Sequence, residues 1–148
     1  VDLTQRLSAY ASYSQGMRWA GFYSAIANPV PELSEQAEAG LKFNFDDTLT
    51  GALAVFDIRR DNVPVQIGIG LAGLSKQRSR GFDADVIWQP TREWSFLANY
   101  GYADATYDQR FQGGNGVVPK GNRLSGVPKH TFLATIKLVA ARLWIKAL

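Results

Sequence analysis

Cysteine is absent from the 148 residues, which excludes disulfides, thiolate metal sites and cysteine nucleophiles. A single histidine, His130, leaves no second imidazole to share a metal ion, so no metal centre is expected. No stretch reaches the roughly 18 uncharged apolar residues of a spanning helix, although a spanning barrel has a weaker signal and survives that test. Basic residues exceed acidic ones only by 16 to 13 and are scattered, so a nucleic-acid partner is not indicated. No basic-then-apolar leader opens the chain at Val1, and an export signal is expected to have been removed or to lie outside this sequence.

What is present is apolar surface in quantity, with 46% hydrophobic against 20% charged residues, which rules out disorder. Its arrangement has period two. From Ser34 to Phe45, Ala37, Ala39, Leu41, Phe43 and Phe45 alternate with Gln36, Glu38, Gly40, Lys42 and Asn44. Successive side chains of a strand point to opposite sides, so this is a two-faced strand. The same reading predicts strands over Leu7 to Gln15, Leu49 to Arg60, Lys76 to Gln89, Trp94 to Ala105 and Lys129 to Val139, six in all. The stretch Val139 to Leu148 departs from alternation, which leaves strand, helix and frayed end all open, and its end is taken as a truncation.

The connections alternate in length. Tight turns fall near Asp46 to Thr48 and Pro90 to Glu93, whereas Gly16 to Leu33, Asp61 to Ser75 and Thr106 to Val127 read as long loops. Short turns at one rim and long loops at the other are the habit of outer-membrane barrels. A strand of about 12 residues rises roughly 40 Å, and tilted by about 40° it covers the apolar thickness of an outer membrane. Phe43, Phe45, Trp88, Trp94 and Phe96 fall beside the tight turns and Tyr13, Tyr100 and Tyr102 near the long loops, as two interfacial girdles require. The alternatives are a soluble β-barrel or β-sandwich ligand-binding module, whose aromatics would face a second sheet, and a small barrel assembled from several copies with a structural or adhesive role.

Motifs for chemistry fail on context. Gly68-Ile69-Gly70-Leu71-Ala72-Gly73 has dinucleotide-loop spacing, but Pro64 and Gly81 interrupt the flanking runs and no helical period follows, so a mobile hairpin loop is the better reading. Gly113-Gly114-Asn115-Gly116 and Lys120-Gly121 lack the continuation of a phosphate loop. His130 reads as a rim histidine. Asp83 and Asp85 share a strand face and are expected to pair with Arg59 or Lys42 across a polar lumen. The ligand-facing candidates are Arg18, Trp19, Phe22 and Tyr23 in one long loop and Arg110, Phe111 and Arg123 in another, with Lys120 nearby, since cations mixed with aromatics attract and hold an anionic chelate. No catalytic residue is assigned.

The runs YASYSQGMR, PELSEQAEAGLKFNF, LAVFDIRRDNV, QRSRGFDADVIWQPTREWSFLANYGYADA and GNRLSGVPKHTF resemble, in order, consecutive barrel strands of the TonB-dependent outer-membrane receptors, particularly the ferric-siderophore branch. The motifs carrying the resemblance are Glu35-Gln36-x-Glu38-x-Gly40-Leu41-Lys42, Ser79-Arg80-Gly81-Phe82-Asp83-x-Asp85 and Gly121-Asn122-Arg123-x-x-Gly126-Val127-Pro128-x-His130. The resemblance implies an all-β chain of antiparallel up-and-down hairpins from a transmembrane barrel of about 22 strands. It also implies a bacterial outer-membrane location, a ferric siderophore as the transported ligand with no cofactor bound directly, and membrane lipid, a plug domain and an inner-membrane energy-coupling complex as partners. Residues 1–148 are then expected to form a partial barrel domain without the plug, with Glu38, Lys42, Asp57, Arg59, Asp83 and Asp85 facing a wet interior.

Overall fold

The computed structural model describes residues 1–19, 30–46 and 48–139. Among them the chain forms β1 (Asp2–Thr4), β2 (Leu7–Arg18), β3 (Glu32–Phe45), β4 (Leu49–Gly68), β5 (Leu71–Trp88), β6 (Trp94–Tyr107), β7 (Phe111–Gly113), β8 (Gly116–Val118) and β9 (His130–Leu138). β1 to β6 and β9 make one antiparallel sheet in the order β1-β2-β3-β4-β5-β6-β9, which does not close on itself; β7 and β8 pair as a separate ribbon. All six expected strands are present. β1 is an addition that the sequence reading does not include.

Turn chemistry explains the two tight connections. Asp46 adopts φ 52°, and the Thr48 amide donates to the Phe45 carbonyl at 3.3 Å. At the other turn the Thr91 hydroxyl accepts from the amides of Glu93 and Trp94, a side-chain turn that starts β6.

The expected loop from Asp61 to Ser75 is corrected. β4 and β5 continue through it as paired strands that turn only at Ile69 and Gly70, the latter at φ 70°, where a side chain is strained. Beyond Asp61, β4 has no second ladder neighbour among the described residues, so Pro64 sits there on a one-sided edge where a missing N–H does no harm. Asn62 at φ 58° marks the bulge at this transition, and its side-chain amide donates to the Pro31 carbonyl at 3.0 Å.

The following loop is structured too. Residues 106–127 fold back on this hairpin: Gln109 donates to the Leu74 carbonyl, the Asp108 amide to the Lys76 carbonyl, and the Leu124 amide to the Ala105 carbonyl. Val63 and Ala105 are the buried hydrophobics of the described residues, and Ser75 is fully buried with its hydroxyl on the Val63 carbonyl. The sheet below has no such core, and no second sheet covers it among the described residues.

Candidate binding surface

Residues directly opposite one another share a face, so the register sorts the whole sheet. One face carries, rung by rung, Phe45, Leu49, Trp88, Phe96 and Ile136; then Leu7, Phe43, Gly51, Val86, Ala98 and Ala134; then Ala9, Leu41, Leu53, Ala84, Tyr100 and Phe132. The next rung is Ala11, Ala39, Val55, Phe82, Tyr102 and His130. This apolar face is open: Val55 is 60% and Ile136 66% exposed. Phe43, Phe45, Trp88, Trp94 and Phe96 stack near the tight turns, with Trp88 5.1 Å from Phe96, and Phe82 lies 5.7 Å from both Tyr100 and Tyr102 nearer the other end. The two girdles are therefore in place.

Above the band the same face turns polar, and the boundary is oblique. The first polar residue is Gln15 in β2 and Glu35 in β3, one rung lower at Asp57, Arg80 and Asp104 in β4 to β6, and one rung lower again at His130 in β9. Two rungs are about 13 Å along a strand and five strand spacings about 24 Å, so the boundary slopes by roughly 30° to the rungs. Strands of a spanning barrel tilt by about that much, and a horizontal membrane surface drawn across tilted strands has this slope. Along each strand the band holds four or five outward residues, about 20–25 Å of height after tilt, the thickness of an outer-membrane apolar belt.

The opposite face is polar. The Tyr10 hydroxyl donates to Glu38 at 2.7 Å, Gln36 donates to the other Glu38 oxygen at 3.2 Å, and Lys42 Nζ lies 5.1 Å from the Tyr10 ring centre. Asp83 and Asp85 share this face, and Asp85 accepts from Asn99. The expected partnership of Asp83 and Asp85 with Arg59 or Lys42 is not formed among the described residues. Asp57 and Arg59 also do not face the polar side: they stand opposite Arg80 and Arg78 on the apolar face, above its band, while Ala52, Ala54, Phe56 and Ile58 point inward. The apolar face is apolar only over the height of the band, and beyond it both faces are wet.

The ligand candidates among the described residues belong to the end of the sheet away from the tight turns, in two separate groups. Arg18 closes β2, and its guanidinium donates to Glu32, a carboxylate only 4% exposed that Arg60 also grips, at 2.5 Å. Trp19 follows, 64% exposed. Phe22 and Tyr23 lie outside the described residues. Arg110 is exposed, and Phe111 begins β7 with its ring 4.8 Å from Tyr107. Arg123 bridges to Thr106 and donates to the Val127 carbonyl at 3.4 Å. β2 and β6 are four strand spacings apart, about 19 Å, so the groups line different parts of the rim.

Sequence reasoning missed Glu32 and Arg60, whose signal would have been charge complementarity across distant strands. It also missed a cleft of about 350 Å³ between the β4–β5 hairpin and the β7–β8 ribbon, lined by Val65, Gln66, Tyr107, Phe111 and Asn115. Lys120 pairs with Asp108 at 2.9 Å, and that bond holds the Asp108 carboxyl below the usual carboxylate range. His130 is a rim residue on the apolar face, its Nδ1 2.7 Å from the Tyr100 hydroxyl.

A single antiparallel sheet with an exposed apolar belt, two aromatic girdles and a polar reverse face is the wall of a membrane-spanning β-barrel. The chain belongs to the TonB-dependent receptor family: the profile of "TonB dependent receptor-like, beta-barrel" matches residues 1–142. It is 31% identical over 133 residues to an uncharacterized TonB-dependent receptor of Haemophilus influenzae, covering 86% of this chain and 37% of that protein. Among solved structures it is similar to the siderophore receptor PiuA of Acinetobacter baumannii (TM-score 0.70, 21% identity), covering 92% of this chain and 22% of that one. It is likewise similar to P. aeruginosa FpvA bound to heterologous pyoverdines (TM-score 0.72, 19% identity, 96% and 20% covered). The ferric yersiniabactin uptake receptor FyuA of Yersinia pestis matches too (TM-score 0.69, 18% identity, 95% and 22% covered). The chain spans well under half the length of each of these proteins.

Proposed function

We propose that this chain is part of the barrel wall of a bacterial outer-membrane receptor that binds and imports a ferric siderophore or a similarly scarce solute. The observation that carries the reading is the oblique apolar belt, whose slope and height suit tilted strands crossing an outer membrane. The polar reverse face, with Glu38, Lys42, Asp83 and Asp85, is suited to meet a plug domain, and import would be driven by an inner-membrane energy-coupling complex. The iron chelate is cargo, and its passage makes and breaks no covalent bond, so no catalytic residue is required. Ligand contact is assigned to the long-loop rim, to Arg18, Trp19, Phe22, Tyr23, Arg110, Phe111 and Arg123, where cations and aromatics are combined.

Trp19→Ala and Arg123→Ala in the whole receptor, with ferric-chelate affinity read by fluorescence quenching, test this assignment. Each is expected to weaken binding by about tenfold. Unchanged affinity in both removes these loops from the site.

A further inference from the structure

Three guanidinium groups stand together on the outward face just above the apolar belt. Arg80 is in the first polar rung, opposite Asp104, and Arg59 and Arg78 are directly opposite each other in the next. Two like charges facing across a ladder repel unless an anion lies between or beside them. Asp57 meets part of that need: it pairs with Arg78, whose side chain is only 22% exposed, and more loosely with Arg80, whose Nε is 3.4 Å away. Arg80 remains 59% exposed. Arg59 is exposed and makes no ion pair among the described residues; Glu35 across from it accepts from Gln15 instead, and Asp104 makes no ion pair with Arg80.

We propose that Arg59 and Arg80 hold the phosphate of an outer-leaflet membrane lipid whose acyl chains lie over Val55 and Phe82 in the rung immediately below. Guanidinium forks match phosphate oxygens, and Arg59 and Arg80 are diagonal neighbours on adjacent strands, close enough to share one group. Val55 and Phe82 are 60% and 41% exposed on the same face, so an anionic head and an apolar body are accommodated in register. A free anion would use the arginines and leave that apolar surface unengaged. The inference rests on the outward face meeting lipid, as the proposed function requires.

The test uses the whole receptor in phosphatidylcholine vesicles with and without bisphosphorylated lipid A, with retained lipid A counted by native mass spectrometry. Wild type is expected to retain lipid A, and Arg59→Gln/Arg80→Gln to bind it about tenfold more weakly. Arg92→Gln, which removes a cation at the opposite rim, should bind as wild type. Asp57→Asn releases Arg78 and should bind more tightly, which keeps the test decisive if the double variant folds poorly. Equal retention by wild type and the double variant overturns the proposal, as does unchanged or weaker retention by Asp57→Asn. Full competition by inorganic phosphate also overturns it, since the site would then recognise a free anion. A receptor that inserts normally yet shows any of these results leaves the barrel-wall reading standing; one that never inserts overturns both.

Discussion

Phe56 and Gly81 stand directly opposite each other in the β4–β5 ladder, and the Phe56 ring occupies the space that a side chain on Gly81 would need. A Cβ there would lie 2.7 Å from the ring and would collide with the Tyr102 carbonyl of β6. The device recurs: the Tyr10 ring covers Gly40, and the Phe43 ring covers Gly51, each directly across a strand pair. An aromatic ring laid over a cross-strand glycine shields a bare stretch of backbone and pins the register. Because the obstacle at Gly81 is backbone, Gly81→Ala is expected to cost about 1–3 kcal/mol, as overpacking does. Urea titration of the folded receptor, read by gel mobility without heating, should show a lower midpoint for Gly81→Ala.

Glu32 ties three strands together, since its two oxygens take Arg18 from β2 and Arg60 from β4. Its near-complete burial makes the loss of charge costly even though Arg18 is exposed. Glu32→Gln should destabilise this rim by about 1–3 kcal/mol. Hydrogen exchange should quicken at Met17, Arg18, Arg60 and Asp61 while Ala39 and Leu53 keep their protection. Arg18→Ala is then expected to loosen the rim as well as weaken ligand.

The Lys120 tie to Asp108 sets a pH dependence for the folded-back segment. The folded carboxyl titrates below its unfolded value, so the stabilisation is fully present above the unfolded pKa, about 3.9, and is lost as pH falls through the lower folded value. Protection of the Tyr107 and Gly121 amides, corrected for intrinsic exchange, should be flat from neutral pH to about 5 and decline only below about 4. Asp108→Asn should show the reduced protection already at neutral pH.

The fold was legible wherever the two faces of a strand differ in chemistry. Ala37 to Phe45 alternates cleanly between an apolar and a polar face, and Phe82 to Trp88 and Trp94 to Tyr102 repeat the contrast. Pro64 and the glycines from 68 to 73 read as breakers because local sequence cannot reveal that β4 has no second ladder neighbour there among the described residues, which is what makes proline harmless. Asp57 and Arg59 were expected to face inward because alternation gives parity and not height. Only the full register shows that these charges clear the belt. The Arg18–Glu32–Arg60 clasp joins residues up to 28 positions apart, and no spacing rule links them.

A chain without cysteine invites the most direct test of the outward belt, because each introduced thiol reports alone from this segment. In the whole receptor in bilayers, cysteines at Leu41, Leu53 and Ala84, and at their sequence neighbours Lys42, Ala52 and Asp85, are to be labelled with a fluorophore and exposed to lipid-borne and water-borne quenchers. The first three should be quenched from the lipid and the second three should not, a strict alternation along β3, β4 and β5. Equal quenching of both sets, or shielding of Leu41, Leu53 and Ala84 from lipid, would contradict the barrel-wall account.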